Sequence, residues 1–383
     1  MRFIHTSDWH LGRIFHGLHL TDDQAYLLDQ LVDFIGEAKP DAIVIAGDIY
    51  DRAVPPTEAV GLLDDVLSKI LLDYRIPVIM IAGNHDSPER LGFGNKLLAR
   101  QGLHVVGALP AQLDPVVLSD KYGPVYFAPL TYAEPALVRD RLKVEAGDHE
   151  QALQAVIHHT LAKMPAHARK VAVAHAFIAG GMESQSERPL SVGGSSMVSA
   201  ALFKPFHYTA LGHLHHSQQA GSGNIRYSGS LLKYSFAEAG QRKGINLVEI
   251  DGQGAASVEM VSFRPRRDVR CLEGYFNDIL QGPQAGEQHD DYIMVTLKDL
   301  EPVLDARGRL EALYPNILHI ERPAVMSGGN LQKPSGDHRR QSEAELFGAF
   351  FLQMTGLELN EEQAGQFSDV LEELYREQRE AGI

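Results

Sequence analysis

Short apolar runs punctuate the first 260 residues, and each is closed by glycine or by a polar cluster: "RFIHTS", "DAIVIAGD" and "VIMIAGNHD" are the first three. Runs of four to six β-branched or aliphatic residues bounded in this way read as buried strands. Between them, apolar positions recur at helical spacing over Thr21–Ala38 and again over Thr57–Leu72, so the chain opens with a βαβαβ pattern and an α/β sheet. Further strands are predicted at "VYFAPL", "VAVAH", "YTALGH", "IRYSGS", "INLVEI" and "SVEMVSF". The later ones follow one another without long helices, which implies a mixed sheet or a second sheet packed on the first.

"FRPRRDVR", Phe263 to Arg270, interrupts the pattern with proline and charge and marks a boundary. Beyond it "YIMVTLKD", a helical "PVLDARGRLEALYP" and "ILHIER" predict a compact βαβ-like unit. "MSGGNLQKPSGDHRRQ" has the composition of a linker. A capping box, Ser342 with Glu345, then opens a helix with Leu346, Phe347, Phe350, Phe351 and Met354 at helical spacing and Gly356 as its stop. An acidic helix over Glu361–Glu380 ends the chain. The domains expected are 1–266, 267–326, a linker at 327–341 and C-terminal helices at 342–383.

Composition narrows the class. The 383 residues exceed what one core usually fills, and 44% hydrophobic with 22% charged residues is the balance of a soluble globular protein. No run approaches a membrane span, and Met1-Arg2-Phe3-Ile4-His5 leads into polar residues and not into a signal segment, so a cytoplasmic location is expected. Cys271 is the single cysteine, which excludes a disulfide framework and any multi-cysteine zinc site; a metal must be held by oxygen and imidazole nitrogen. The net charge of −15 argues against a free-standing nucleic-acid binder, but ten acidic residues against two arginines after Gln341 supply more than half of it. Bound divalent cations would offset part of the remainder.

Five apolar runs end, in order, in groups that ligate metals. "HTSDWH" offers Asp8 and His10, "VIAGDIYD" Asp48, "IAGNHD" Asn84 and His85, "VAVAH" His175, and "LGHLHH" His213 with His215. In open α/β sheets the carboxyl ends of strands share one rim, so groups remote in sequence can meet there. In extended chain, residues i and i+2 point to one side, which pairs Asp8 with His10 and His213 with His215. A carboxylate can span two neighbouring ions, and Asp48 is the candidate bridge. Imidazole, carboxylate and one amide without thiolate suit Mn(II) or Fe(II) better than structural zinc. Each fragment alone has a plain structural reading, such as a turn cap or a core histidine; five in fixed order make coincidence a poor account.

"DWH", "GDIYD", "GNHD", "AH" and "GHLH" together resemble the motifs of the calcineurin-like metallophosphoesterases. "HTSDWHLGR", "AGDIYDRAVPP", "AGNHDSPERL" and "SERPLSVGG" are similar to the bacterial nucleases of that superfamily that work with an SMC-like ATPase, over essentially the whole chain. The resemblance implies a sandwich of two mixed β-sheets flanked by helices, with a small α/β capping domain and C-terminal helices that dock the ATPase. It implies one metal held by Asp8, His10, Asp48 and His215, and a second by Asp48, Asn84, His175 and His213, most often Mn2+. His85 would then donate a proton or hydrogen bond toward the phosphate or the leaving oxygen, with Asp86 orienting its ring. It further implies 3′ to 5′ double-strand exonuclease and single-strand endonuclease activity on DNA ends and hairpins in repair, and a homodimer within a heterotetramer.

The residues themselves leave alternatives open. A phosphatase or cyclic-nucleotide phosphodiesterase could use the same dinuclear site, and a metal-free scaffold could use the fold alone. Arg264, Arg266, Arg267 and Arg270 form a run suited either to backbone phosphates or to a solvated interdomain loop, with Arg13 and Arg52 as weaker phosphate candidates. "GGMESQSERPLSVGGSSM" is either a loop that orders over substrate or a surface excursion.

Overall fold

A computed structural model describes residues 1–188, 190, 196–284, 286–301, 303–322, 343–355 and 357–380. The chain divides into two compact units, Met1–Val269 and Arg270–Ile383.

The first unit holds two six-stranded sheets. One is built from β1 (Arg2–Thr6), β2 (Ala42–Ala46), β3 (Val78–Ile81), β4 (Leu103–Val106), and two later strands, β11 (Gly244–Ile250) and β12 (Ala256–Ser262), in the order β12-β11-β1-β2-β3-β4. Strands β1 to β4 are parallel to their neighbours, and β11 turns the sheet antiparallel beside β1. The other comprises β5 (Val116–Asp120), β6 (Gly123–Leu130), β7 (Arg169–His175), β8 (Tyr208–Gly212), β9 (Gln218–Gln219) and β10 (Ile225–Tyr227), in the order β9-β10-β8-β7-β6-β5. It too is mixed, parallel through β6, β7, β8 and β10 and antiparallel at both edges.

The two sheets face one another. Phe3, Val44, Ile79 and Val248 of the first pack against Phe127, Val171, Val173 and Tyr208 of the second in one buried cluster. Strand alternation sends Ala172 and Ala174 of β7 to the opposite face, where they meet Val138 of α3 (Pro135–Leu142) and Val156 and Ile157 of α4 (His149–Leu161). The helix α1 (Thr21–Ala38) buries Leu27, Leu28, Leu31 and Ile35, the stripe its sequence predicts. The helix expected over Thr57–Leu72 is α-helical as α2 (Thr57–Ser68) and then widens into a π-helical turn, Lys69–Asp73.

In the second unit, β13 (Val269–Gly274), β14 (Tyr292–Leu297) and β15 (Ile317–Glu321) form a three-stranded sheet, with α5 (Ala306–Glu311) joining the parallel pair β14 and β15. Ile293, Val295, Leu310 and Tyr314 lie in its core. Two helices follow, α6 (Glu343–Thr355) and α7 (Glu361–Glu380), whose Phe347 and Phe367 rings stack at 3.8 Å. The linker expected at 327–341, the capping residue Ser342 and the stop Gly356 lie outside the described residues.

Three of the four arginines of the run pair within the protein. Arg266 and Arg267 pair with Asp22 and Asp23 at 3.9 and 3.4 Å, and Arg270 with Asp291 and Glu287 at 2.7 and 2.8 Å. Those partners favour the loop reading over a free cationic stripe. No helix among the described residues is long and apolar enough to cross a membrane.

Candidate metal centre

Strands β1, β2, β3, β7 and β8 end along one rim, and the loops beyond them carry the predicted ligands. The two sheets approach closely there: a Cβ on Gly212 would stand 2.0 Å from the carbonyl oxygen of Ala46, so only glycine fits. Asp8, His10, Asp48 and His213 have φ of 54°, 45°, 51° and 104°, a left-handed backbone that side chains other than glycine seldom adopt. This corrects the expectation that Asp8 with His10, and His213 with His215, converge by extended i, i+2 spacing. Strand geometry stops at Thr6 and Gly212, and a reversed backbone aims the side chains instead. Such conformations persist only where surrounding bonds over-determine them. Asp8 accepts Ser7 Oγ at 2.5 Å and the His213 amide at 3.0 Å, while Gln24 donates to the carbonyls of Trp9 and His10 at 3.0 and 2.8 Å.

Asp48 lies at the centre. Its Oδ2 is 3.6 Å from His10 Nε2, 3.5 Å from His175 Nε2 and 3.9 Å from His85 Nε2, and its Oδ1 accepts the His85 amide at 3.0 Å. Asn84 Oδ1 lies 2.9 Å from His175 Nε2. His10 Nε2 and His215 Nε2 face each other at 3.0 Å, and the His213 ring stands 5.4 Å from that of His175. Asp8, His10 and His215 can each offer an atom to one ion, as can Asp8, Asp48 and His175, the atoms of each group lying within 4.8 Å of one another. Behind the rings, His175 Nδ1 meets the Ala46 carbonyl at 3.0 Å and His85 Nδ1 the Asp51 carbonyl at 2.8 Å. Carbonyls only accept, so both rings carry a proton at Nδ1 and turn Nε2 inward, that of His175 toward Asn84 Oδ1 and that of His85 toward Asp48.

The donor set fits a divalent cation. His10 Nδ1 is buried without a hydrogen bond, 3.7 Å from Asp51 Oδ1, so this imidazole lacks a full set of protein partners. Burial raises the Asp48 carboxyl to about 6 against the opposing influence of His85, and burial together with the Asp48 charge lifts Asp8 well above the carboxylate range. Burial likewise lowers His175 to about 4 and pushes His10 and His213 well below the ordinary imidazole value. Dehydration disfavours every charged form, and a bound cation would reverse that for the carboxylates.

Asp86 does not orient His85. Its oxygens accept the backbone amides of Ile49, Tyr50 and Gly83 at 3.1, 2.9 and 2.9 Å, and the Asp51 carbonyl holds the ring instead. The carboxylate faces back onto the amides that open two loops, so its role is a brace between them. Arg13 is committed to Asp51 at 2.9 Å. Arg188, exposed and not singled out in the sequence, lies near enough to bear on the proton affinities of both Asp48 and His85.

Residues 1–216 match the family model for calcineurin-like phosphoesterases, and the chain belongs to that family. Residues 265–355 match a second model, the type 5 capsule protein repressor C-terminal domain of the SbcD_C family. The chain is 32% identical to the SbcD subunit of the SbcCD nuclease of Staphylococcus epidermidis over 372 residues, 97% of this chain and 98% of the relative, and it falls within that SbcD branch of the phosphoesterases. Two solved structures are more distantly similar. The protein TT1561 of Thermus thermophilus has a TM-score of 0.36 and 13% identity, over 68% of this chain and 98% of that one. A dimetal phosphatase from Danio rerio has a TM-score of 0.38 and 12% identity, over 68% and 99%.

Proposed function

We propose that the chain is a dinuclear-metal DNA nuclease, hydrolysing phosphodiester bonds at DNA ends and hairpins in a complex with the SMC-like ATPase SbcC. The observation that carries this reading is the convergence of Asp48 on imidazoles from both sheets, beside a family match that spans both units. Asp8, His10, Asp48 and His215 would hold one ion and Asp48, Asn84, His175 and His213 the other, with Asp48 bridging. Mn2+ suits these oxygen and nitrogen donors. Two bound cations would supply Lewis acidity to the phosphoryl group and lower the pKa of water at the site.

The protein's own groups do the rest. His85, held at Nδ1 by the Asp51 carbonyl, turns Nε2 into the site; once Nε2 takes up a second proton, which burial opposes and the Asp48 carboxylate favours, the imidazolium would donate it toward the leaving 3′ oxygen. The unit from Arg270 onward would cap and position the duplex, and α6 with α7 would dock SbcC. Phe350 and Val370 support that docking, since both are more than half exposed on these helices. A homodimer is supported by the apolar face around α2, where Leu72, Phe93 and Leu97 are 67%, 85% and 75% exposed beside a groove of about 630 Å³. A DNA-processing complex of this kind acts in the cytoplasm, in repair and recombination.

The test is Mn(II)-dependent degradation of an end-labelled linear duplex by the purified chain, with His85→Gln as the paired control. Loss of full-length duplex with the native protein and none with the variant is the expected result. Cleavage confined to a small phosphoester, with metal bound, would select the phosphatase or phosphodiesterase alternative. Deleting residues from 342 onward should abolish capture of SbcC and leave hydrolysis intact.

A further inference from the structure

Behind His215 lies a buried polar chain that no ligand motif contains. Glu238 is fully buried, yet its Oε2 accepts from the Lys243 ammonium at 2.6 Å. Its Oε1 accepts from the hydroxyls of Ser186 and, at 3.0 Å, of Ser235. Ser186 Oγ in turn lies 2.6 Å from His215 Nδ1. Lys243 also donates to the His215 carbonyl at 2.7 Å, and Glu187 Oε1 accepts the His215 amide at 2.7 Å. His215 is therefore held at its amide, its carbonyl and one ring nitrogen, by residues 28 or more positions away or anchored through them.

We propose that Ser186 and Glu238 are positioning residues that fix the tautomer and rotation of His215, so that its Nε2 lone pair faces the metal centre. A carboxylate paired with an ammonium only accepts hydrogen bonds. The single hydroxyl proton of Ser186 therefore goes to Glu238, which leaves Oγ to accept, and the donor it accepts from is His215 Nδ1–H. A neutral ring protonated at Nδ1 has its free pair at Nε2, the atom that stands 3.0 Å from His10 Nε2. His175 and His85 obtain the same orientation from backbone carbonyls. His215 has none there, and a serine relaying a buried carboxylate supplies it. The segment "SQSER", which joins no secondary-structure element, thus builds part of the site's wall from behind.

This inference rests on reading His215 as a ligand, and its test separates the two. Long-range 1H–15N correlation spectra of the metal-free chain, with histidine labelled and the His215 signals assigned by their loss in His215→Asn, read the tautomer directly. Nδ1–H is expected in the native protein. Glu238→Gln, whose amide can donate to Ser186 Oγ, should turn the serine proton toward the ring and convert His215 to Nε2–H. Mn(II) titration by calorimetry should then show one of two sites weakened about 10- to 100-fold in Ser186→Ala and in Glu238→Gln, the other unchanged, and Ser186→Thr restoring native binding. Should Glu238→Gln fail to fold, the Ser186→Ala and Ser186→Thr pair decides alone. Nε2–H in the native protein, or two native-strength sites in Ser186→Ala, would overturn the proposal. Absence of Mn(II) binding by the native chain would instead remove the metal-centre reading, leaving the tautomer result to stand by itself.

Discussion

Adding a single methyl group at Gly83 tests the site's geometry without touching any group that does chemistry. A Cβ there would stand 2.1 Å from Asp48 Oδ1 and 2.4 Å from the Asp48 backbone nitrogen, where ordinary contact begins at 3.4 Å. The second contact is with backbone, so the clash cannot be relieved by rotating a side chain, and the two loops must part by about 1 Å. Overpacking of this kind costs about 1–3 kcal/mol of stability, which lowers Tm by roughly 3–10 °C in a unit of this size. The functional loss should be far larger. Asp48 is within 3.6 Å of both His10 and His175, so a displacement of about 1 Å disturbs both ion positions, and misplacement on that scale costs on the order of 100-fold in rate. The assay is Mn(II)-dependent hydrolysis of an activated phosphodiester by Gly83→Ala, beside differential scanning calorimetry of the same preparation. A variant that binds two Mn(II) ions as tightly as the native chain and turns over at the native rate would refute Asp48 as the shared ligand.

Three further outcomes are expected. Mn(II) affinity should fall as pH drops through about 6, where the unloaded Asp48 takes up a proton, while His175, lowered to about 4, stays neutral and ready; affinity unchanged from pH 7.5 to 5 would exclude carboxylate control of loading. His5 is fully buried between the Tyr208 hydroxyl and the Leu211 carbonyl, and burial lowers it to about 3. Because its folded value lies below the unfolded one, its contribution is complete above about pH 6.5 and is lost as pH falls from there toward 3, roughly 2 kcal/mol by pH 5. His5→Gln should flatten that part of the stability-versus-pH curve in urea unfolding, and an unchanged slope would count against it. Asp86→Asn should cost about 1–3 kcal/mol in the same assay, because its amide cannot accept all three backbone N–H groups, yet leave turnover per bound metal within a few-fold of native; a collapse of turnover like that of His85→Gln would return Asp86 to the chemistry.

Local pattern carries most of the first unit. The helix predicted at Thr21–Ala38 is α1 with the same bounds, and the apolar runs at "VAVAH" and "YTALGH" are β7 and β8, because buried parallel strands leave an uninterrupted apolar signal. The same logic locates the rim, since a strand that ends in Asp or His breaks the apolar run abruptly. What pattern does not supply is pairing across distance. Asp86 sits next to His85 in sequence, which makes it the natural partner for that ring, whereas the folded chain gives the ring to the carbonyl of Asp51. Nor does pattern mark the pairing of Ser186, Glu238 and Lys243: Ser186 opens the stretch "SERPLSVGG", but a lone serine, glutamate and lysine have no periodicity, and their joint role exists only once His215 is packed among them. The arginine run reads as cationic in sequence for the opposite reason: its acidic partners Asp22 and Asp23 lie more than 240 residues earlier.

The close approach of the two sheets at Gly212 and Ala46 has a further consequence. Asp8, Asp48 and Asn84 come from loops of the first sheet, His175 from the end of β7 and His213 and His215 from the loop after β8 of the second. Hydrogen bonds and the Asp48–His175 contact tie the groups together across the rim. An ion bound between them would be a cross-link, clamping segments of the chain that are 91 or more residues apart. On this ligand assignment, tight metal retention would report that both halves of the sandwich have been made and seated, and a chain stalled between β3 and β7 would lack the ligands of the second sheet.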